Sequence, residues 1–281
     1  MEELSRASAS IGLCFAAHSQ FCMNHIQLNG SQKQKERYLP RLISGASVGA
    51  LAVSEVQAGG DLASMRTKAR AVHGGYILDG YKVCVTNGRD ADIIIVYART
   101  GPHGISGGIT AFLVDTDSRG FSYLRKEHGL GSSANACLFS SVFVPHENVI
   151  GSINRGLEIL VKGVTLGRLV LSSGPLALMQ AVLDMVSPLM LTRRFSNTQA
   201  VSSAYVEGLV AGIYTKLQAS RGYTYSTANM VDDDGLICPQ DCAGALSHST
   251  ESAAKCALDA IEILGEIGCS ENGLSYRLLR E

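Results

Sequence analysis

The sequence predicts an α+β protein in which a helical segment, a central β-barrel or sandwich and a C-terminal helical bundle follow one another. Three observations carry this. Apolar residues recur at helical spacing before residue 45 and again after residue 150. Between these stretches the apolar residues come in short runs of strand-like period, separated by turn dipeptides. Helices and strands are grouped rather than alternating, which favours segregated layers over a doubly wound sheet.

The elements follow in order. Residues 2–28 are rich in Ala, Leu and Ile with scattered Ser and read as helix. Ser31-Gln32-Lys33-Gln34 follows Asn29-Gly30 and has the S-x-x-Q form of a capping box, opening a short helix that ends near Leu42. From about Ser47 the period changes. Arg66, Lys68 and Arg70 alternate with small residues, and Gly74-Gly75 and Asp79-Gly80 are turn dipeptides bracketing strand-like runs. Ala91–Tyr97, Ile109–Val114 and Leu138–Val144 continue the pattern. Helices are expected at about 154–190, 204–230 and 239–266. Gly174-Pro175 should bend the first, Asp232-Asp233-Asp234-Gly235 should form an acidic loop between the others, and Pro239 suits a first helical turn. The expected domains are therefore 1–45, 46–150 and 151–281.

Composition excludes several classes. The 281 residues are 46% hydrophobic, enough for a substantial core. Lys and Arg (24) nearly balance Asp and Glu (25), without a concentrated basic run, so no nucleic-acid partner is expected. No uninterrupted apolar stretch reads as long enough for a membrane span. The start, MEELSRAS, is acidic and polar, unlike a signal or transit segment, so the residues alone suggest a cytoplasmic chain. Eight cysteines without a C-x-x-C read as reduced packing residues, and seven histidines without paired spacing read as structural, so no metal site is expected. Neither a G-x-G-x-x-G after a strand nor a P-loop is found.

One residue stands out. Leu160, Val164, Gly167 and Leu171 share a helix face, and glycine inside a helix costs roughly 1 kcal/mol relative to alanine. The gap at Gly167 either admits a neighbouring backbone or marks a side chain that once reached a ligand.

Longer motifs give the gap a context. LAVSEVQAGGDLASM (Leu51–Met65), DGYKVCVTNGRDADIIIVYART (Asp79–Thr100) and GRLVLSSGPLALMQAVLD (Gly167–Asp184) together resemble the acyl-CoA dehydrogenase family. MEELSRASASIGL and QKERYLPRLISG (Gln34–Gly45) add to the likeness, which covers essentially the whole chain and is nearest to the isovaleryl-type branch. The resemblance implies an FAD enzyme. A glutamate takes the α-proton of an acyl-CoA thioester, and the β-hydrogen leaves as hydride to the flavin. Such chemistry needs a base over the α-carbon, donors to the thioester carbonyl and a flavin held by the protein.

The motifs match residue by residue only in part. Against [ST]-E-P-x-A-G-S-D, this chain keeps Ser54, Glu55, Ala58, Gly59 and Asp61, but has Val56 for the proline and Gly60 for the second serine. Against W-I-T-N-G it keeps Thr86, Asn87 and Gly88 behind Val85, with Cys84 for the tryptophan. Against D-L-E-R it reads Thr165-Leu166-Gly167-Arg168, so the base position is Gly167. Glu158 takes a ligand-contacting tyrosine's position on the same helix, but begins roughly 13 Å from Gly167 at 1.5 Å per residue. The R-x-x-F-G…Q pattern keeps Phe195, with its arginine at Thr192, Arg193 beside it, and its glutamine at Ser203. Q-x-x-G-G reads Glu262-Ile263-Leu264-Gly265-Glu266, which adds a negative charge beside a pyrophosphate site.

The resemblance thus implies cofactor contacts at Ser54, Ala58, Gly59, Gly60, Val85, Thr86, Arg193 and Gly265. Substrate contacts are implied at Gly60, Thr165 and Arg168, and no catalytic residue remains, Gly167 being the lost base position. Two readings follow. One is a catalytically impaired relative acting as a structural or binding subunit, with FAD binding weakened. The alternative is an active FAD-dependent dehydrogenase of a short branched acyl-CoA. The accumulated departures favour the first. Implied partners are a homo-oligomer or a larger protein assembly, an acyl-CoA, and electron-transfer flavoprotein if the chain is active. The family's location is the mitochondrial matrix. Against the family pattern both ends are expected to be short, the C-terminal loop that closes the site included.

Overall fold

The computed structural model describes all residues except 102–107, 127–133, 193–202, 236, 270–273 and 281. It divides into two compact units, Cys14–Gly167 and Met1–Leu13 with Arg168–Glu281. Helices and strands are grouped as the sequence predicts, with α1 (Glu2–Ala7), α2 (Ala9–His18), α3 (Asn24–Asn29) and α4 (Gln32–Ile43) preceding all strands. The single helix expected over 2–28 is interrupted twice. Ser8 is extended (φ −159°, ψ 120°), and Ser19–Met23 forms a π-helical turn. The capping box of α4 forms as expected, Gln34 N donating to Ser31 Oγ at 3.3 Å and Ser31 N to Gln34 Oε1 at 2.8 Å. Gln34 Nε2 also donates to the carbonyls of Glu147 (2.7 Å) and Val149 (2.8 Å), so one side chain both starts the helix and ties it to the sheet.

Within the first unit, eight strands form one sheet. They are β1 (Gly49–Ala52), β2 (Lys68–Val72), β3 (Gly75–Thr86), β4 (Ile93–Arg99), β5 (Ile109–Asp115), β6 (Phe121–Lys126), β7 (Ala134–Pro145) and β8 (Val149–Ile150). Their order is β6-β7-β3-β2-β4-β5-β8, with β1 parallel beside β4. All seven residues of β4 are buried, which is why IIIVYAR reads as a continuous apolar run. Its side chains alternate between two cores. Ile94, Val96 and Ala98 join Leu78, Phe112 and Phe139 inside the bent sheet. Ile93, Ile95 and Tyr97 join Cys22, Ile26, Leu42 and Leu160 under the helices.

One turn expectation fails. Gly74-Gly75 turns the chain between β2 and β3, but Asp79-Gly80 lies inside β3, where the register against β7 shifts between Leu78 and Gly80. A side chain at Gly80 would collide with Thr67, whose Oγ1 lies 2.3 Å from the Cβ position. Asp79 Oδ1 accepts from Ser141 N at 2.7 Å. The dipeptide that usually turns a hairpin here makes a bulge instead.

The second unit is helical: α1 with α6 (Ser173–Thr192), α7 (Ser203–Asp234), α8 (Pro239–Leu264) and α9 (Leu274–Arg280). Its core includes Leu176, Met179, Val182, Ile213, Leu217, Cys256 and Ala260. The expected helix over 154–190 is two helices, α5 (Gly156–Leu171) and α6, parted at Ser172 and not bent at Gly174-Pro175. Pro175 sits in the first turn of α6, where no intrahelical donor is lost. Ser172 Oγ and Ser173 Oγ donate to the Leu169 and Val170 carbonyls, both at 2.5 Å. Asp232–Asp234 belong to the last turn of α7 and not to a loop; Gly235 (φ 64°) ends the helix. Pro239 opens α8 as expected. Contrary to the sequence-based expectation, the 33-residue stretch Gly156–Pro188, which spans α5 and most of α6, is long enough to cross a membrane and holds an apolar window of mean hydropathy 1.6, half of it buried in the protein's own packing.

Candidate functional site

The segment beginning at Ser54 is a tight turn held by one buried carboxylate. Glu55 and Ala58 exchange backbone hydrogen bonds at 3.0 Å, leaving Val56 and Gln57 at the tip with Val56 78% exposed. The Glu55 side chain, 4% exposed, is the anchor. Its Oε1 accepts from Lys82 Nζ and Thr67 N, both at 2.9 Å, and its Oε2 from Arg66 N (2.7 Å) and Gln57 Nε2 (2.9 Å). Lys82 Nζ also donates to the Val53 carbonyl at 2.8 Å. Burial alone would raise the Glu55 carboxyl, but the Lys82 ammonium and the converging donors outweigh it and hold it below the usual carboxylate range. Burial draws Lys82 down to about 8 against the pull of Glu55, so the pair is ionised at neutral pH.

Beyond this anchor the loop is open. Gly59, Gly60 and Asp61 are exposed, Ser54 is half-buried, and the Ala58 side chain is fully buried, which leaves it only backbone atoms for a ligand. A Cβ at Gly59 or Gly60 would meet no heavy atom within 4 Å. The hydroxyl missing at Gly60 was therefore not lost to crowding. Gly60→Ser is expected to leave stability within about 0.5 kcal/mol of the parent, as thermal melting would show.

The second motif divides into structural and available parts. Cys84 is exposed with φ 55°, in the register shift of β3 between Lys82 and Val85. Val85 is buried in the sheet core, and Thr86 is half-buried at the strand end. Asn87 adopts φ 63°, and its Nδ2 donates to the carbonyls of Cys14 (2.9 Å) and Gly49 (3.4 Å). A Cβ at Gly88 would lie 3.0 Å from both Cys137 Sγ and the Val85 carbonyl. Asn87 and Gly88 thus build the turn, and Thr86 carries the hydroxyl open to a ligand.

On α5 the structure resolves the gap at Gly167. A Cβ there would stand 2.4 Å from Phe21 Cε1 and 2.7 Å from Cζ. A side-chain ring fills the space, and no neighbouring backbone enters it as the sequence-based alternative supposed. One turn earlier, a Cβ at Gly163 would meet His25 Cε1 at 2.2 Å and Nε2 at 2.3 Å. Phe21 and His25 are four residues apart, as are their glycine seats, so two rings pair with two gaps. Thr165 is buried, and its hydroxyl donates to the Val161 carbonyl at 2.8 Å within the helix. Glu158 is exposed and paired with Arg155, so it offers no base toward Gly167.

His25 itself is 1% exposed, with Nδ1 donating to the Gln20 carbonyl at 3.4 Å and its ring edge-on to Tyr97. Burial pulls its pKa down to about 4. An unfolded imidazole takes its proton near pH 6.5, so between these values the unfolded chain binds more protons and stability falls as pH drops. The loss should approach about 3 kcal/mol by pH 4. Denaturant midpoints measured across this window should be flatter for His25→Gln.

In the other unit, Arg168 is exposed on the last turn of α5. Gly265 caps α8 with φ 62° and ψ −131°, a conformation that calls for glycine, and a Cβ there would meet nothing within 4 Å. Glu266 is exposed. Arg193 and Phe195 lie outside the described residues, between Thr192 at the end of α6 and Ser203 at the start of α7. Sequence reasoning missed Lys82, Phe21 and His25. A lysine in an alternating strand looks like a solvent-facing residue, and only the pairing of β3 with the Glu55 turn shows otherwise.

Comparison with known proteins agrees with this fold. Residues 1–46, 50–142 and 154–281 match the N-terminal, middle and C-terminal domains of acyl-CoA dehydrogenases. The mitochondrial isovaleryl-CoA dehydrogenase of Solanum tuberosum is 45% identical over 284 residues, covering 100% of this chain and 69% of that protein. That of Pongo abelii is 43% identical over 286 residues, covering 100% and 67%. The butyryl-CoA dehydrogenase structure from Megasphaera elsdenii superposes with a TM-score of 0.95 at 29% identity, over 99% of this chain and 74% of that one.

Proposed function

The chain belongs to the acyl-CoA dehydrogenase family, and from that premise we propose that it is an isovaleryl-CoA dehydrogenase-like homologue impaired in proton abstraction, acting as a binding or structural subunit. The observation that carries the proposal is Gly167. The motif places the base there, and the Phe21 ring stands where its side chain would begin. Glu158, the carboxylate on the same helix, is exposed and engaged by Arg155.

The residues present fit FAD in part. The exposed backbone at Gly59 and Gly60 leaves open room, and the Ser54 and Thr86 hydroxyls are half-exposed. These groups would hold the cofactor, with Val85 and Ala58 contributing backbone only and Arg193 and Gly265 following from the motif alone. When bound, FAD supplies a hydride acceptor. The Glu55–Lys82 pair fixes the loop that offers these donors, and Gly60 and Arg168 are the proposed acyl-CoA contacts. Thr165 enters that set with its hydroxyl proton already committed to the helix backbone.

Oligomerisation, alone or in a larger assembly, and a mitochondrial matrix location are part of the proposal; the relatives' mitochondrial location supports the second. Their 43–45% identity also favours a second reading, an active dehydrogenase of a short branched acyl-CoA that passes electrons to electron-transfer flavoprotein. Anaerobic addition of isovaleryl-CoA to FAD-supplemented protein separates the two. The flavin is expected to bleach at least about a hundredfold more slowly than in a relative carrying the carboxylate base; bleaching at the relative's rate would establish the active reading.

A further inference from the structure

We infer that Phe21 and Gly167 form one steric unit, so that the base position is closed by a second residue and any side chain placed at 167 must displace the Phe21 ring. The inference rests on the reading of Gly167 as the base position, but its physical content is a packing constraint that stands or falls separately.

The distances are decisive. Carbon atoms in contact prefer about 3.5–4.0 Å, yet the first side-chain atom at 167 would stand 2.4 and 2.7 Å from two ring carbons and 3.4 Å from a third. Any residue but glycine must displace the ring, and glutamate must carry four further heavy atoms and a charge into the same volume.

Phe21 has little freedom to retreat with its backbone. It lies in the π-helical turn Ser19–Met23, where the next residue, Cys22, is fully buried against β1. A Cβ at Gly49 would stand 2.5 Å from Cys22 Sγ and 2.7 Å from its Cβ. His25, one turn on, is seated on Gly163. Three side chains of one short segment therefore rest on three glycines from two different elements. Moving the segment away from α5 breaks the His25 contact, and the close seat of Cys22 on Gly49 limits movement of the segment against β1. The remaining escape is rotation of the half-buried Phe21 ring toward solvent, which exposes its apolar surface.

A double-mutant cycle with an exchange assay tests this. Gly167→Ala is expected to lower Tm by about 2–5 °C, the size of an overpacking change in a chain of this length. In a Phe21→Ala background the same substitution should cost less than half as much. Gly167→Ala adds a single atom, whereas Phe21→Ala removes six ring carbons, so the second arm of the cycle is measured against the Phe21→Ala variant itself. Gly167→Glu, supplemented with FAD, should exchange the α-protons of isovaleryl-CoA with deuterated solvent faster in the Phe21→Ala background than alone. A Tm loss that is equal in both backgrounds overturns the inference, as does exchange no greater in the double variant than in the single one. Proton exchange by the parent protein at the rate of a relative carrying the carboxylate base would instead overturn the impaired-enzyme reading, and the thermal cycle would then decide for or against the steric unit by itself.

Discussion

Lys82→Met is expected to destabilise the protein by about 3–5 kcal/mol, the cost of leaving a buried charge without its partner. Glu55 and Lys82 are 4% and 0% exposed, and Nζ reaches both the carboxylate and the Val53 carbonyl. Methionine fills most of the volume, so the loss isolates the charge. What remains is a carboxylate still bonded to two backbone amides but shut away from water. The double change Glu55→Gln with Lys82→Met should cost clearly less than the sum of the single changes, because neither residue then carries an uncompensated charge. Urea midpoints measure both; a single-variant loss below about 1 kcal/mol would mean that water reaches the pair.

The pH dependence follows from the same pair. Glu55 titrates below its unfolded value, so it contributes stability above about pH 4.5 that is lost as pH falls through its folded value. Without Lys82, the burial that opposes its charge loses its largest counterweight. The Glu55 part of the acid transition should then shrink or reverse.

Turnover of isovaleryl-CoA by the FAD-supplemented protein is expected to fall about 10²–10⁴-fold below that of a relative carrying a carboxylate base. This corresponds to about 3–5 kcal/mol of barrier. The expectation is specific to proton transfer. The Ser54–Asp61 loop keeps its buried Glu55 anchor, so the main defect is expected in proton transfer. KM close to that of the relative with a reduced kcat is the expected pattern, since a base acts in the transition state and not in binding. A raised KM with normal kcat would place the defect in ligand contacts such as Gly60, whose surroundings leave room for the missing serine.

Much of the fold was legible because it rests on local rules. The capping box at Ser31–Gln34, Pro239 at a helix start and the buried run IIIVYAR each state their structure in a few adjacent residues. The misses share one cause. Asp79-Gly80 suits a hairpin turn or a bulge, and only the pairing of β3 with β7 decides between them. The acidic run Asp232–Asp234 looks like a loop, yet Gly235 is the residue that stops the helix. At the candidate site the sequence marked Gly167 as a gap but could not say what filled it, because Phe21 lies far away in the chain. Lys82 was hidden for the same reason. Its partner Glu55 was visible as a motif residue, but the contact between them is tertiary.

The most direct measurement is exchange of the α-protons of isovaleryl-CoA with deuterated solvent, followed by mass spectrometry in the presence of the FAD-supplemented protein. It reads proton abstraction alone, without dependence on hydride transfer or an electron acceptor. With glycine at the proposed base position and Phe21 against it, exchange is expected to run about 10²–10⁴-fold below that of a relative carrying a carboxylate base. Exchange within about tenfold of that relative would contradict the loss of the base and return the chain to the active dehydrogenases.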